Sequence, residues 1–250
     1  KRQGKAKQSP GASRRLGGGF SRYDRPLRIE QLEDRRVLAL YVVTNPFDLD
    51  NDGNIVPGSL RQAINLANAN FGGDTIAFSE TALISAGGTI TLSNHENGGE
   101  LLITDDLIIA GPGARKITVS QGKNDSRVFH IDDGDEDNRI SVTITGLQIS
   151  NARLVGTDDE EDRGAAIRNV ESLTLNEVRV SNNSASGGGG GLFNTGFATI
   201  NRSLFINNSA GFIDGVGGGG GILNGLPEDD ENSPVTNIYN STFTGNDEAI

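Results

Sequence analysis

The stretch that decides the fold lies between Val142 and Ala210, where one pattern of residues returns several times. It reads VTITGLQISN from Val142, LTLNEVRVSNNSA from Leu173 and ATINRSLFINNSA from Ala198. The second and third copies start 25 residues apart, and a fourth, TNIYNSTFTGN, starts at Thr236. A period in the mid-twenties is typical of a solenoid, in which each repeat buries its apolar face against the next.

Apolar residues recur at two fixed positions of each copy, and we expect them to stack inside the molecule. One row contains Ile144, Leu175, Ile200 and Ile238, and the other contains Ile149, Val180, Phe205 and Phe243. Asparagines recur too: Asn182 with Asn207, and Asn183 with Asn208 and Asn246. Stacked Asn side chains hydrogen-bond to one another and to turn backbones. The pattern predicts an all-β solenoid whose strands pair about 4.8 Å apart.

Short β-prone stretches begin at Tyr41 and are separated by turn-forming clusters. They are YVVT at Tyr41, TIAF at Thr75, TITL at Thr89, LLIT at Leu101, LIIA at Leu107 and KITV at Lys116. One helix is predicted among them, because Ser59 can act as an N-cap and Leu60, Ala63, Ile64 and Ala67 share one face. We expect this helix to cap the end of the strand stack.

Residues 1–40 differ in charge from the rest of the chain. They hold 11 Lys and Arg against 4 Asp and Glu, although the whole chain has a net charge of −11. Their Gly, Ser and Gln content predicts a disordered basic leader. Within it, Ile29–Leu40 has apolar residues at helical spacing and predicts a short amphipathic helix or a linear signal. We therefore divide the chain into a leader, 1–40, and a strand-rich domain, 41–250, truncated in its last repeat.

Composition excludes several classes of function. The chain has no cysteine, and so no disulfide, thiolate metal site or thiol nucleophile. The longest apolar run, Val37–Val43, is far shorter than the roughly 20 residues of a membrane span. The acidic body repels nucleic-acid phosphates. Because no initiator Met is present and the fourth repeat runs into Ile250, we expect a longer protein around this chain.

Three segments resemble known bacterial surface proteins. LEDRRVL from Leu32 resembles the LEPR-XLL motif of exported planctomycete proteins, with Asp34 in the place of Pro. PGSLRQAI from Pro57, followed by NAN and DTIAF, resembles the CSLREAI-type segment that opens surface β-helix proteins, with Pro-Gly in the place of Cys. FINNSA at Phe205 and GGGI at Gly219 are similar to repeats of chlamydial polymorphic outer-membrane proteins.

The resemblance covers most of residues 29–250. It implies a right-handed parallel β-helix of the pectin-lyase-like type, with one short N-terminal capping helix, secreted or exported to the cell surface or outer membrane. It implies little about activity, because one fold hosts many functions.

An acidic segment, DLDNDGNI from Asp48, matches the first half of a calcium-binding loop. Asp48, Asp50 and Asp52 stand at alternating positions, and Gly53 allows the sharp turn. The position eleven residues after Asp48, where such a loop needs a bidentate Glu, is Ser59. The three aspartates are candidate calcium ligands, and the alternative is a turn with solvated carboxylates.

The acidic run from Asp132 to Asp137 has two functional interpretations, a cation site or the paired carboxylates of a glycoside hydrolase. The alternative is a solvated loop between the strands VFHI and ISVTI, because consecutive carboxylates on a loop rarely keep a fixed separation. The two histidines, His95 and His130, are far apart in sequence and flanked by turn residues. We expect both to be ordinary surface or strand side chains.

Two further patterns fail to match enzyme motifs. Polysaccharide lyases of this fold combine an acidic calcium site with a nearby Arg or Lys base. Arg179 and Arg202 are expected to project from strands, but neither has an alternating Asp partner. The Gly runs Gly187–Gly191 and Gly217–Gly221 do not continue into Lys-Ser/Thr or a helix, and so do not predict a phosphate loop.

The sequence therefore favours a non-catalytic extracellular or cell-surface repeat protein, structural or adhesin-like. Its expected partners are extracellular polysaccharide or cell-surface components, and calcium is its one candidate cofactor. The alternative is a polysaccharide lyase or glycoside hydrolase acting on acidic polysaccharides, and the sequence assigns no catalytic residue to it.

Overall fold

The computed structural model describes residues 38–122, 125–135, 138–156, 162–213, 216–225 and 233–248. Every described residue belongs to one compact unit, Arg36–Ile250. The leader predicted over residues 1–40 thus lies almost wholly outside the described residues, as do most of the acidic insertions at 157–163 and 226–233. Of the helix expected over Ile29–Leu40, only the last three residues are described. They are not helical, and Leu40 begins a strand.

Most strands belong to four parallel sheets, here called A to D, with strands numbered in chain order. Sheet A contains β1 (Leu40–Val43), β2 (Asp74–Phe78), β5 (Leu107–Ala110), β8 (Ser141–Thr145), β12 (Ser172–Asn176), β16 (Phe197–Asn201) and β22 (Val235–Tyr239). Sheet B contains β3 (Thr89–Leu92), β6 (Thr118–Gln121), β9 (Gln148–Ser150), β13 (Arg179–Ser181), β17 (Leu204–Ile206) and β23 (Thr242–Thr244).

The two smaller sheets contain the remaining parallel strands. Sheet C contains β10 (Arg153–Leu154), β14 (Ser184–Ala185), β18 (Ser209–Ala210) and β24 (Asp247–Glu248). Sheet D contains β4 (Leu101–Ile103), β7 (Phe129–Ile131), β11 (Ile167–Asn169), β15 (Leu192–Asn194) and β21 (Ile222–Asn224). The remaining elements are an antiparallel pair, β19 (Phe212–Ile213) with β20 (Val216–Gly217), and two helices, α1 (Leu60–Asn68) and α2 (Glu80–Ser85).

From β12 onward the chain visits sheets A, B, C and D in that order before it returns to sheet A. Each strand pairs in parallel with the strands of the preceding and following visits. Leu175, for example, lies opposite Ile144 on one side and Ile200 on the other. The predicted all-β fold is confirmed at this level, as parallel strands in four sheets with few helices.

The two predicted apolar rows are confirmed by the strand register. Leu175 on β12 and Val180 on β13 are fully buried, as are their partners on the neighbouring strands. Each such side chain contributes about 1.5–3 kcal/mol when it leaves water. Ile238 and Phe243 continue the rows but remain 48% and 37% exposed, because β22 and β23 are the last strands of their sheets.

Of the two predicted asparagine rows, the one through Asn183, Asn208 and Asn246 is confirmed as a hydrogen-bonded ladder. Asn182 and Asn207 instead occupy exposed turn positions with positive φ angles of 57° and 54°. The side-chain amide of Asn183 donates to Oδ1 of Asn208 at 2.9 Å, and that of Asn208 donates to Oδ1 of Asn246 at 2.9 Å. A second ladder, which the sequence did not suggest, joins Asn169 to Asn194 at 2.7 Å. Both ladders satisfy buried backbone groups at the corners between sheets.

From β8 onward, the corner between sheets A and B has a left-handed backbone at one position of each pass. That position is held by Gly146, Glu177, Arg202 and Asn240, whose φ angles are 61°, 54°, 45° and 50°. Glycine and asparagine tolerate this region, whereas other residues are strained in it by about 1–2 kcal/mol. Glu177 and Arg202 form an ion pair of 3.0 Å there, but both side chains are about 60% exposed.

We expect Glu177→Gly to raise the free energy of unfolding by about 0.5–1 kcal/mol, because the relief of strain exceeds the loss of an exposed ion pair. Urea denaturation measures the change. Thr174→Gly, on the adjacent strand where φ is not positive, serves as the control and is expected to lower stability. A decrease for Glu177→Gly would show that the turn carries no strain.

Helix α1 has the predicted N-cap and buried face. The Ser59 hydroxyl accepts from the Gln62 N–H at 3.1 Å, and the Gln62 side chain accepts from the Gly58 N–H at 2.7 Å. This reciprocal pairing is a form of capping box. Leu60 and Ile64 are among its buried residues, and the helix packs on β1, β2 and β4. Neither helix of the described segments is long and apolar enough to cross a membrane.

Candidate functional site

The predicted calcium loop places its three aspartates in different environments. Asp48 is 2% exposed, and its two carboxylate oxygens accept from Nε and Nη2 of Arg61 at 2.8 and 3.0 Å. The backbone N–H of Ser93 adds a third bond at 2.8 Å. A calcium ion at Asp48 would have to displace the guanidinium, which already supplies the positive charge that a buried carboxylate needs.

Asp50 and Asp52 face solvent on the other side of the same turn. Oδ1 of Asp50 accepts from the backbone N–H groups of Asp52 and Asn54 at 2.9 and 2.8 Å. These bonds, led by those from Asn54, hold the pKa of Asp50 below its ordinary value. Asp48, Asp50 and Asp52 do not bring their oxygens together into a group of three. The loop is closed by its own hydrogen bonds and by the ion pair to α1.

A cluster of charged side chains lies on the outer face of sheet D, around the start of β7. The Glu100 carboxylate contacts Nη1 of Arg127 at 2.6 Å and Nδ1 of His130 at 2.9 Å. Burial by itself would raise the pKa of Glu100, but the hydrogen bond from His130 and the charge of Arg127 outweigh it and lower the pKa to about 2. Nε2 of His130 lies 3.6 Å from Oδ2 of Asp132.

The next carboxylates form the only group of three potential metal-ligating side chains among the described residues: Asp132, Asp133 and Glu171, with ligand atoms within 4.8 Å of one another. Glu171 is 3% exposed and accepts from the N–H groups of Asp133 and Ile140, at 3.5 and 3.2 Å. Burial, followed by the charges of Asp133 and Asp132, raises the pKa of Glu171 to about 7. These oxygens suit a hard cation such as calcium. The calcium prediction itself stays a prediction.

Glu171 should make stability depend on pH. Its pKa rises from 4.5 to about 7 on folding, so the folded state holds the proton more tightly than the unfolded state. The stabilisation is therefore complete below the unfolded pKa and is lost as pH rises through the folded pKa. Between about pH 4 and pH 8, we expect the free energy of unfolding of wild type to fall by about 3 kcal/mol relative to that of Glu171→Gln.

Urea denaturation across this pH range measures the difference. The matched control is Glu80→Gln, which removes a carboxylate that is 49% exposed and paired with Lys116. Its stability difference from wild type should not vary in this way. Parallel pH profiles for wild type and Glu171→Gln would mean that Glu171 does not bind its proton more tightly in the folded state.

Other residues weighed from the sequence lie elsewhere. His95 packs on the Asp50 turn, where its Nδ1 accepts from the Asn97 N–H at 3.1 Å. Arg179 projects from β13 as expected, whereas Arg202 lies in a turn rather than on a strand, because its positive φ ends β16. Neither belongs to the sheet D cluster.

Sequence reasoning missed Glu100, Arg127 and Glu171. A signal was present, because aligning FHIDD from Phe129 with IRNVE from Ile167 places Asp133 opposite Glu171. That alignment requires the strand register, which the irregular spacing of the early repeats conceals. Comparison with protein-family models, curated proteins and solved structures finds no match to this chain.

Proposed function

We propose that the chain winds as a right-handed parallel β-helix and serves as a structural, non-catalytic element of an extracellular or cell-surface protein. The observation that carries the proposal is the unbroken parallel register of sheet A, in which seven strands follow one another from β1 to β22. At about 4.8 Å per strand this stack would extend about 30 Å. A right-handed path agrees with the handedness of nearly all parallel crossover connections.

The outer surface supports a structural role. Some polar side chains near the turns are engaged in ladders or ion pairs within the chain, as Asn208 and Arg61 are. Sheet A presents outward threonines in register, Thr143, Thr174 and Thr199. Such a surface fits extracellular polysaccharide or cell-surface components as partners, and the net charge of −11 keeps the stack soluble.

Labelling of intact cells tests the location. Antibodies against the purified chain should bind whole cells of the organism that produces it, with a cytosolic protein as the unlabelled control. Labelling that appears only after permeabilisation would contradict a surface role. A crystal structure of the purified chain tests the winding, since successive passes should turn in the right-handed sense, and a left-handed path would contradict the proposal.

A second candidate, hydrolysis of a polysaccharide, is favoured by one specific observation. Glu171, whose pKa burial raises to about 7, adjoins Asp132 and Asp133, and glycoside hydrolysis uses a pair of carboxyl groups of which one donates a proton. Release of reducing ends from a panel of polysaccharides tests this activity. It should disappear in Glu171→Gln and persist in Glu80→Gln. If wild type releases none, the structural proposal stands alone.

A further inference from the structure

A cleft of about 420 Å³ lies beside the carboxylate cluster, where the chain turns from sheet D into sheet A. Its walls come from the segment before β2, the β4–β5 turn and the described ends of the β7–β8 loop. The lining includes Phe71, Asp105, Asp106, Asp133 and Arg139. Sites for small ligands usually have volumes of about 300–1,000 Å³, so the cleft is large enough for a small ligand.

The charge of the lining residues determines the charge of the ligand that the cleft can bind. Among the described residues that line the cleft, three are anionic, Asp105, Asp106 and Asp133, and one is cationic, Arg139. The Arg139 guanidinium is engaged within the chain. Its Nη1 donates to the carbonyl of Val170 at 3.0 Å, and its Cζ lies 4.8 Å from the centre of the Phe197 ring. The cleft therefore attracts cations and repels anions, including acidic polysaccharides.

Two of the carboxylates keep acceptor capacity for a ligand. Oδ1 of Asp106 accepts from the Ser141 N–H at 2.7 Å, and Oδ1 of Asp133 accepts from the Asp135 N–H at 2.8 Å. Their second oxygens have no hydrogen bond within the described part of the chain. A primary ammonium, with three donors, can use both.

Phe71 provides the apolar part of the site. Its side chain is 86% exposed, the highest value for a large apolar residue in the described segments, and it stands at the edge of the cleft. An exposed aromatic ring attracts a nearby ammonium group and offers a flat surface to a ring-shaped ligand. The ring therefore favours a ligand that has a flat face as well as an ammonium group.

We propose that this cleft binds a protonated amino sugar, with the ammonium group held between Asp106 and Asp133 and the sugar ring lying on Phe71. The proposal goes beyond the structural role and does not depend on it. Thr104 and Asn138 line the same cleft and offer hydroxyl and amide groups to the sugar hydroxyls.

Titration calorimetry at low salt and mildly acidic pH tests the ligand class. The probe is a glucosamine oligomer, compared with the same oligomer fully N-acetylated and with an oligogalacturonate. We expect the glucosamine oligomer to bind at least about tenfold more tightly than either, and added salt to weaken its binding. Equal binding of the acetylated oligomer, or tighter binding of the galacturonate, would overturn the proposal. So would equal binding of Nα-acetyl-lysine amide, which has an amine but no sugar ring.

Variants locate the site. Asp106→Asn keeps the oxygen that accepts from Ser141 but removes the charge, and should weaken binding about tenfold. Phe71→Ala should weaken it about threefold. Matched controls outside the cleft are Asp52→Asn and Phe47→Ala, both at exposed positions, and both should bind as wild type does. Wild-type affinity in folded Asp106→Asn and Phe71→Ala would exclude the cleft.

Discussion

Arg61→Ala should lower the free energy of unfolding by about 4 kcal/mol, because it leaves Asp48 buried without a counter-charge. The guanidinium makes two bonds to that carboxylate and also donates to the carbonyls of Gly99 and Glu100, at 2.8 and 2.9 Å. It thus joins α1, the acidic turn and the segment before β4. Loss of these contacts should loosen the N-terminal end of the strand stack. Chemical denaturation followed by circular dichroism measures the change.

The exposed pair between Lys116 and Glu80 provides the matched control, since both side chains are about half exposed. Lys116→Ala should lower the free energy of unfolding by less than about 1 kcal/mol. A second comparison tests the mechanism: Asp48→Asn combined with Arg61→Ala should be more stable than Arg61→Ala alone, because no buried charge remains unpaired. If the double variant is no more stable than Arg61→Ala, the loss of stability in Arg61→Ala comes from lost packing and not from the unpaired charge.

Asn208→Ala should lower the free energy of unfolding by about 3 kcal/mol, because it breaks the centre of a buried ladder. Oδ1 of Asn208 accepts from the backbone and side-chain N–H groups of Asn183, at 3.2 and 2.9 Å. Its Nδ2 donates to the Val180 carbonyl at 3.0 Å. Alanine leaves these buried groups without partners, at a cost of about 1–3 kcal/mol for each unsatisfied group.

The neighbouring residue supplies the control for this experiment. Asn207 is exposed and has a φ of 54°, which glycine adopts without strain. Asn207→Gly should therefore change stability by less than about 0.5 kcal/mol. Thermal denaturation of the three proteins compares them directly. Similar losses for both variants would mean that the ladder contributes no more than an exposed turn residue.

The candidate sites were predicted less well than the fold. The motif around Ser59 correctly placed α1 and its cap, yet the partner of Arg61 could not be read from it. The alternating aspartates suggested calcium because their spacing fits a metal loop. Spacing does not reveal that the Asp48 carboxylate is paired with the guanidinium of Arg61, 13 residues further along the chain. An ion pair depends on which two segments are neighbours in the fold, and sequence periodicity does not predict that.

The sequence by itself determined the parallel stacking of strands and the inward rows that contain Leu175 and Val180, because a residue pattern that returns at nearly constant period must present the same face on each pass. The tertiary structure alone decided that Glu100 contacts His130 and that Glu171 lies against Asp133. Those residues come from passes of unequal length, and only the strand register sets which of them become neighbours. Their neighbours then set their pKa values: the hydrogen bond from His130 and the charge of Arg127 lower the pKa of Glu100 despite burial, whereas burial and the charges of Asp133 and Asp132 raise the pKa of Glu171.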